Sequence, residues 1–282
     1  MNAKVSIARL SIISNTLLIA MKLVVGLISG SVSIISEAIH SSMDLIAAII
    51  AFLSVKVSDN PPDSEHPYGH GKIENISGVI EALLIFVAAI WIIIEAVKKL
   101  FGDKIELESI ALGSVIMLIS AIVNTIVSRK LYKVARQTNS VALEADALHL
   151  KTDVYTSLGV AVGLGLILIT GINWFDPVVA ILVALFIIKE SYQLMKKAFT
   201  PLLDTAWSIE EIEELEKTLN KLEVSYHDLR TRAAGNYRFI DLHIEIPADV
   251  SVGSAHQYCD KIENELTSYY SNLVVTIHVE PS

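Results

Sequence analysis

Apolar residues dominate the first two hundred positions in six long runs, and after that the pattern changes. Runs near 10–28, 33–55, 76–97, 109–128, 147–170 and 177–195 are each close to the roughly 20 residues a helix needs to cross a bilayer. They predict six transmembrane helices, with both termini on one side. Beyond residue 205 the hydropathy becomes amphipathic. The segment SIEEIEELEKTLNKL reads as a surface helix that begins at Ser208, with Glu211 in the capping-box position. A strand is predicted over 224–232. Residues 238–246 alternate strictly, with Ile240, Leu242, Ile244 and Ile246 on one face and Asp241, His243 and Glu245 on the other. A helix over 254–270 and a strand over 273–280 complete an αββαβ order, which fits a two-layer α+β domain of ferredoxin-like style. The expected domains are therefore 1–205, a six-helix membrane domain, and 206–282, a small cytoplasmic domain.

Composition agrees with a membrane protein: 52% of the 282 residues are hydrophobic and the mean hydropathy is +0.53. The first run resembles a signal peptide in following Lys4 and Arg9. It is the length of a full span, however, and no small-residue cleavage site follows it, so it is expected to remain as a helix. Lys4, Arg9, Lys56, Lys72, Arg129, Lys130, Lys133, Arg136, Lys196 and Lys197 flank one set of span ends, whereas the other set holds only Lys98, Lys99 and Lys104 among acidic residues. The positive-inside rule then puts both termini in the cytoplasm of a multi-pass protein of the cell membrane. Of the net charge of −9, the last 77 residues supply −8, from 6 basic against 14 acidic side chains. Such an acidic tail excludes nucleic acid as a partner. The one cysteine, Cys259, excludes an internal disulfide and any multi-cysteine metal site.

Candidate chemistry sits inside two of the apolar runs. SIISEAIHSSMD places His40 and Asp44 four residues apart, and EADALHLKTD does the same with His149 and Asp153. Each pair shares a helix face. Ionisable groups at membrane depth avoid lipid, so the two pairs are expected to face each other across the bundle. Together they supply two nitrogens and two oxygens, a closed tetrahedral set of the kind Zn2+ prefers. Local His-to-Asp pairing within each helix is the plainer reading, but it would bury two ion pairs with no return. Glu37, Glu81, Asn124, Asp146, Lys22 and Lys151 are weaker signals, with Glu37 and Asp146 placed as support or entry groups. The loop DNPPDSEHPYGHGK presents Asp63, His66 and His70 as a more exposed three-ligand set, or simply as surface polar residues. On the last strand His278 and Glu280 share a face and can ligate together.

Taken together, GSVSIISEAIHSSMD, HPYGHGKIE, EADALHLKTD, HDLRTR and the terminal IHVEP resemble the cation diffusion facilitator family of divalent metal exporters over nearly the whole chain. The resemblance implies a transport site at His40, Asp44, His149 and Asp153, and a loop site at Asp63, His66 and His70. It also implies a two-metal site in the tail at His227, His243, His256, His278 and Glu280, and an interlocking ion pair between Lys72 and Asp204. Many bacterial relatives have Asp at the position of His40, and some have Asp in place of Glu280. The His/Asp, His/Asp set is similar to the zinc-type members. The implied function is a homodimeric Zn2+/H+ antiporter that exports metal by alternating access and is not an enzyme. Fe2+, Mn2+, Co2+ or Cd2+ as the main cargo, an intramembrane metalloenzyme and a metal sensor are the alternatives.

Overall fold

The computed structural model describes residues 3–29, 32–101, 110–170, 174–270 and 272–282. Lys104 and the side chains of Glu37, His40 and Lys99 lie outside the described residues. Six long helices come first: α1 (Ala3–Ser29), α2 (Val32–Ser58), α3 (Lys72–Phe101), α4 (Ile110–Thr138), α5 (Val141–Thr170) and α6 (Phe175–Phe199). Each has 25 to 30 residues, ample for a hydrocarbon core of about 30 Å. Among the described residues α1, α3 and α6 are apolar enough to cross a membrane by composition alone.

The α4 and α5 helices run past their apolar stretches, over residues 129–138 and 141–146. Arg, Lys, Leu and Ala are good helix formers, so in α4 the change from apolar to charged residues at Arg129 does not end the helix. Helix pairs close on alanines. Ala47, Ala48 and Ala51 of α2, Ala82 and Ala89 of α3, and Ala142, Ala145 and Ala147 of α5 are all fully buried. Small side chains let backbones approach closely where no hydrophobic effect drives helices together. The α3 helix packs mainly on α6, α1 on α2, and α4 on α5, while α5 also reaches α6 and joins the groups.

A buried polar network ties the helix ends on the tail side. Lys4 Nζ of α1 donates to Glu74 Oε1 of α3 (2.8 Å) and lies 2.6 Å from Asp59 Oδ1. Ser58 Oγ at the end of α2 donates to the same Glu74 oxygen (2.8 Å), and Ser140, just before α5, donates to the other. Glu74 is completely buried.

The tail forms α7 (Ile209–Lys221), β1 (Tyr226–Ala234), β2 (Tyr237–Ile246), α8 (Val252–Tyr269) and β3 (Leu273–Pro281), the expected αββαβ order. Ser208 and Glu211 make the expected reciprocal cap. The sheet runs β1-β2-β3, antiparallel then parallel. Its core face carries Ile240, Leu242, Ile244 and Ile246 against Leu215 and Leu219 of α7 and Ile262 and Leu266 of α8. The turn between β1 and β2 rests on the start of α3, where Gly235 N donates to Asn75 Oδ1 (2.8 Å). Gly235 has φ +60°, and a Cβ there would lie 2.5 Å from Gly71 O; a Cβ on Gly71 would lie 2.1 Å from Ala234 O. Only two glycines allow this approach.

Two outcomes are expected. Glu74→Ala leaves Lys4 buried without one of its carboxylates and should cost about 3–5 kcal/mol, read as a lowered Tm of the detergent-solubilised protein. Gly71→Ala should lift the hairpin off α3, seen as faster hydrogen exchange at residues 233–238 with the tail's own core still protected.

Candidate metal sites

Where α2 meets α5, His149 Nε2 lies 2.9 Å from Asp44 Oδ1, both side chains being largely buried. The two motifs thus do meet across the bundle through one member of each. One helical turn on, Asp153 Oδ2 accepts from Asn124 Nδ2 of α4 (3.4 Å). Asp44 and Asp153 line one cavity of about 80 Å3, walled also by Asn15 and Lys22 of α1 and Ser120 and Asn124 of α4. His40 stands one turn before Asp44 on α2, and its side chain lies outside the described residues. Asn15 Nδ2 donates to the Asp44 carbonyl (3.4 Å) and Lys22 Nζ to Ser41 Oγ (2.6 Å), which gives the intramembrane lysine its partner. Among the described residues, buried His149 Nδ1, Asn124 Oδ1 and Ser120 Oγ have no hydrogen-bond partner. Of these, Asn124 and Ser120 line the cavity, where a polar atom left unbonded costs free energy.

On the loop before α3, Asp63 Oδ1 accepts from the backbone N–H of His66 (2.7 Å) and of Glu65 (3.0 Å). These bonds, the one from His66 foremost, hold its carboxyl below the usual range. Asp63 Oδ1 lies 3.3 Å from His66 Nδ1, and Oδ2 lies 3.4 Å from His70 Nε2. One ligand atom from each of the three falls within 4.8 Å of the others, His70 being buried and the other two exposed. A turn at Gly69, φ +82°, folds the loop back far enough to bring them together.

In the tail the strand register does the assembling. His227 pairs with His243 across β1 and β2, and His243 with His278 across β2 and β3. Three imidazoles therefore stand in a row on the face away from the core, with ring centres 5.2 and 4.6 Å apart. Glu280 lies among them: its Oε1 is 3.1 Å from His243 Nδ1 and 3.6 Å from His278 Nε2, and its Oε2 is 3.2 Å from His227 Nε2. Asp228, which the alternation pattern did not single out, joins His227 and His243 as a second group. It sits at a bulge with φ +49°, and that irregularity turns its carboxylate toward the histidines. The only hint in the sequence was its position directly after His227. His256 is not brought to the row. It lies on α8 with its side chain 75% exposed and 3.7 Å from Asp260, because α8 covers the opposite, apolar face of the sheet.

With the sites in view, comparison with known proteins is decisive. Residues 8–203 match the cation efflux transmembrane domain and residues 208–282 the cytoplasmic domain of cation efflux proteins. The chain belongs to the cation diffusion facilitator family. An uncharacterized transporter of Synechocystis is 35% identical over 90% of this chain and 83% of its own length. Cation-efflux pump FieF of Shewanella oneidensis is 32% identical over 97% and 93%, and manganese efflux system protein MneP of Bacillus subtilis 29% over 98% and 95%. This facilitator is thus a divalent cation efflux transporter and not an enzyme.

The facilitator's bundle and tail are joined by one further contact. Lys72 Nζ donates to Asp204 Oδ1 (2.9 Å), and Arg232 Nη1 of β1 lies 3.6 Å from the same oxygen. The two side chains of the Lys72–Asp204 pair are 37 and 50% exposed, so the pair is a solvated tie and not the buried one that would be worth several kcal/mol. Hydrogen bonding from Lys72 holds the Asp204 carboxyl below its ordinary value. A depressed carboxylate contributes fully above its unfolded pKa of about 4, and the contribution is lost as pH falls through the lower folded value. Lys72→Ala should therefore cost about 0–1 kcal/mol at neutral pH and weaken the acid-side loosening of the tail, measured by thermal melts from pH 7 down to 3.

Proposed function

We propose that this transporter exports Zn2+ from the cytoplasm in exchange for protons, with His40, Asp44, His149 and Asp153 as the transport ligands. The observation that carries the reading is the 2.9 Å contact between Asp44 and His149, which joins two His-x-x-x-Asp helices at a buried polar cavity. A His and Asp set of two nitrogens and two oxygens suits a tetrahedral d10 ion. Each ligand binds metal only when deprotonated, so metal and proton compete for the same groups and a proton gradient can unload the metal on the far side. The α2/α5 contact opening first to one face and then to the other would be alternating access.

The rest follows on the same footing. The charge at the span ends supports cytoplasmic termini and a place in the cell membrane. Asp63, His66 and His70 form a loop site from which cytoplasmic metal can be received. His227, His243, His278 and Glu280, with Asp228, form a tail site. His256, remote within one chain, belongs to that site only if a second chain presents it. A homodimer closed by metal between two strongly acidic tails fits that arrangement. Lys72 and Asp204 hold each tail to its bundle.

A second reading has an observation of its own. Relatives named for manganese efflux, and the carboxamides of Asn15 and Asn124 beside the carboxylates, favour Mn2+ as the main cargo. Flux of Zn2+, Cd2+, Mn2+ and Fe2+ in proteoliposomes under an imposed pH gradient separates the two. Zinc should lead, and should stop with Asp153→Ala while the tail keeps its metal. His40→Asp should raise Mn2+ relative to Zn2+ and move the pH profile downward, since a group titrating near neutrality is replaced by one about two units lower. An unchanged metal ranking in that variant would remove His40 from the ligand set.

A further inference from the structure

On the tail side of the bundle a groove of about 870 Å3 opens between α4, α5 and α6. Its wall carries Arg129, Lys133 and Arg136, spaced along one face of α4, together with Lys151 of α5. Two carboxylates also line it, Glu144, which pairs with Lys197 (2.5 Å), and Glu190, so the four cations remain in excess. Among the described residues none of the four cations is ion-paired. Lys151 is held instead by two rings: its Nζ lies 5.6 Å from the centre of Tyr132 and 5.2 Å from that of Tyr155. A lysine fixed this way keeps its charge directed into the groove.

Past Tyr155 the character changes. A second groove, of about 410 Å3, continues along the seam of α5 and α6 away from the tail and shares Tyr155 with the first. Apart from that tyrosine its walls are apolar, with Leu158, Val162, Leu182 and Phe186 its larger side chains. The floor exists because α5 has Gly159 against Val183, where a Cβ would stand 2.9 Å from a valine methyl. Tyr155 packs edge-on against Phe186, with ring centres 5.3 Å apart, and separates the cationic mouth from the apolar length.

We propose that this composite groove binds one anionic phospholipid of the tail-side leaflet, its phosphate among Arg129, Lys133 and Lys151 and an acyl chain along Leu158 and Val162. Charge complementarity selects the headgroup sign, and the same cationic excess turns away the metal cargo. The adjoining apolar groove selects a lipid over free phosphate. Full-length protein in detergent, titrated with phosphatidylglycerol, phosphatidylcholine or glycerol phosphate and read by native mass spectrometry, tests it. Saturable phosphatidylglycerol binding at least fivefold tighter than phosphatidylcholine is expected, with glycerol phosphate failing to compete. Lys133→Gln with Arg129→Gln changes only exposed side chains and should remove the preference, while Val162→Trp should weaken the lipid with the cations intact. Equal binding of the two lipids, competition by glycerol phosphate, or variants that bind like the native protein would overturn it. So would disulfide crosslinking between Leu182→Cys residues of two copies, which would mean that a second chain covers the groove.

Discussion

A buried charge is costly without a partner, and the joining of this bundle's helix ends answers to that constraint. Glu74 is the clearest case. Completely buried at the start of α3, it is served by Lys4, Ser58 and Ser140, which come from α1, the end of α2 and the residue before α5. One carboxylate thereby sets the mutual positions of four helix ends. The same rule acts deeper in the bundle, where Lys22 finds Ser41 and His149 finds Asp44. Alanine-lined contacts could slide by a fraction of a turn at little cost, but the polar pairs could not. Register in the apolar bundle is therefore set by its few polar groups, and the facing of α2 on α5 follows.

The tail connects to that register through a single hairpin. Strands β1 and β2 carry His227 and His243 near one end of the ladder, while their turn at the other end rests on Gly71 and Asn75. About eight residues of strand, roughly 26 Å, separate the histidines from the docking point. A sheet spaced by backbone hydrogen bonds is stiff over such a length. The same two strands thus carry the histidine row at one end and, at the other, the contact with the start of α3, next to Glu74 and Lys72. Arg232 on β1 adds a second point of attachment through Asp204, and it also stacks over Phe239 (4.0 Å) and Tyr68 (4.7 Å) at the same junction.

Much of this was legible in the chain itself, where periodicity carried the information. Six apolar runs became six helices, strict alternation over 238–246 became β2 with the expected faces, and the Ser208 and Glu211 cap formed as spaced. These depend on neighbours within one turn or one strand. Two His-x-x-x-Asp pairs likewise announced that they share helix faces, and the Asp63, His66 and His70 loop is short enough to close by itself.

What tertiary structure alone decided is whatever joins residues far apart in sequence. Nothing near Asn15 marks it as a neighbour of Asp44, and nothing near Glu74 marks it as the meeting point of four helices. Asp228 entered its group through a bulge, an irregularity that alternation cannot foresee. His256 stayed out because α8 packs on the sheet's apolar face, and helix orientation over a sheet is fixed by the whole core and not by any one residue's chemistry. The sequence determined which residues could serve a metal. Packing, constrained by the cost of buried charge, determined which of them stand together.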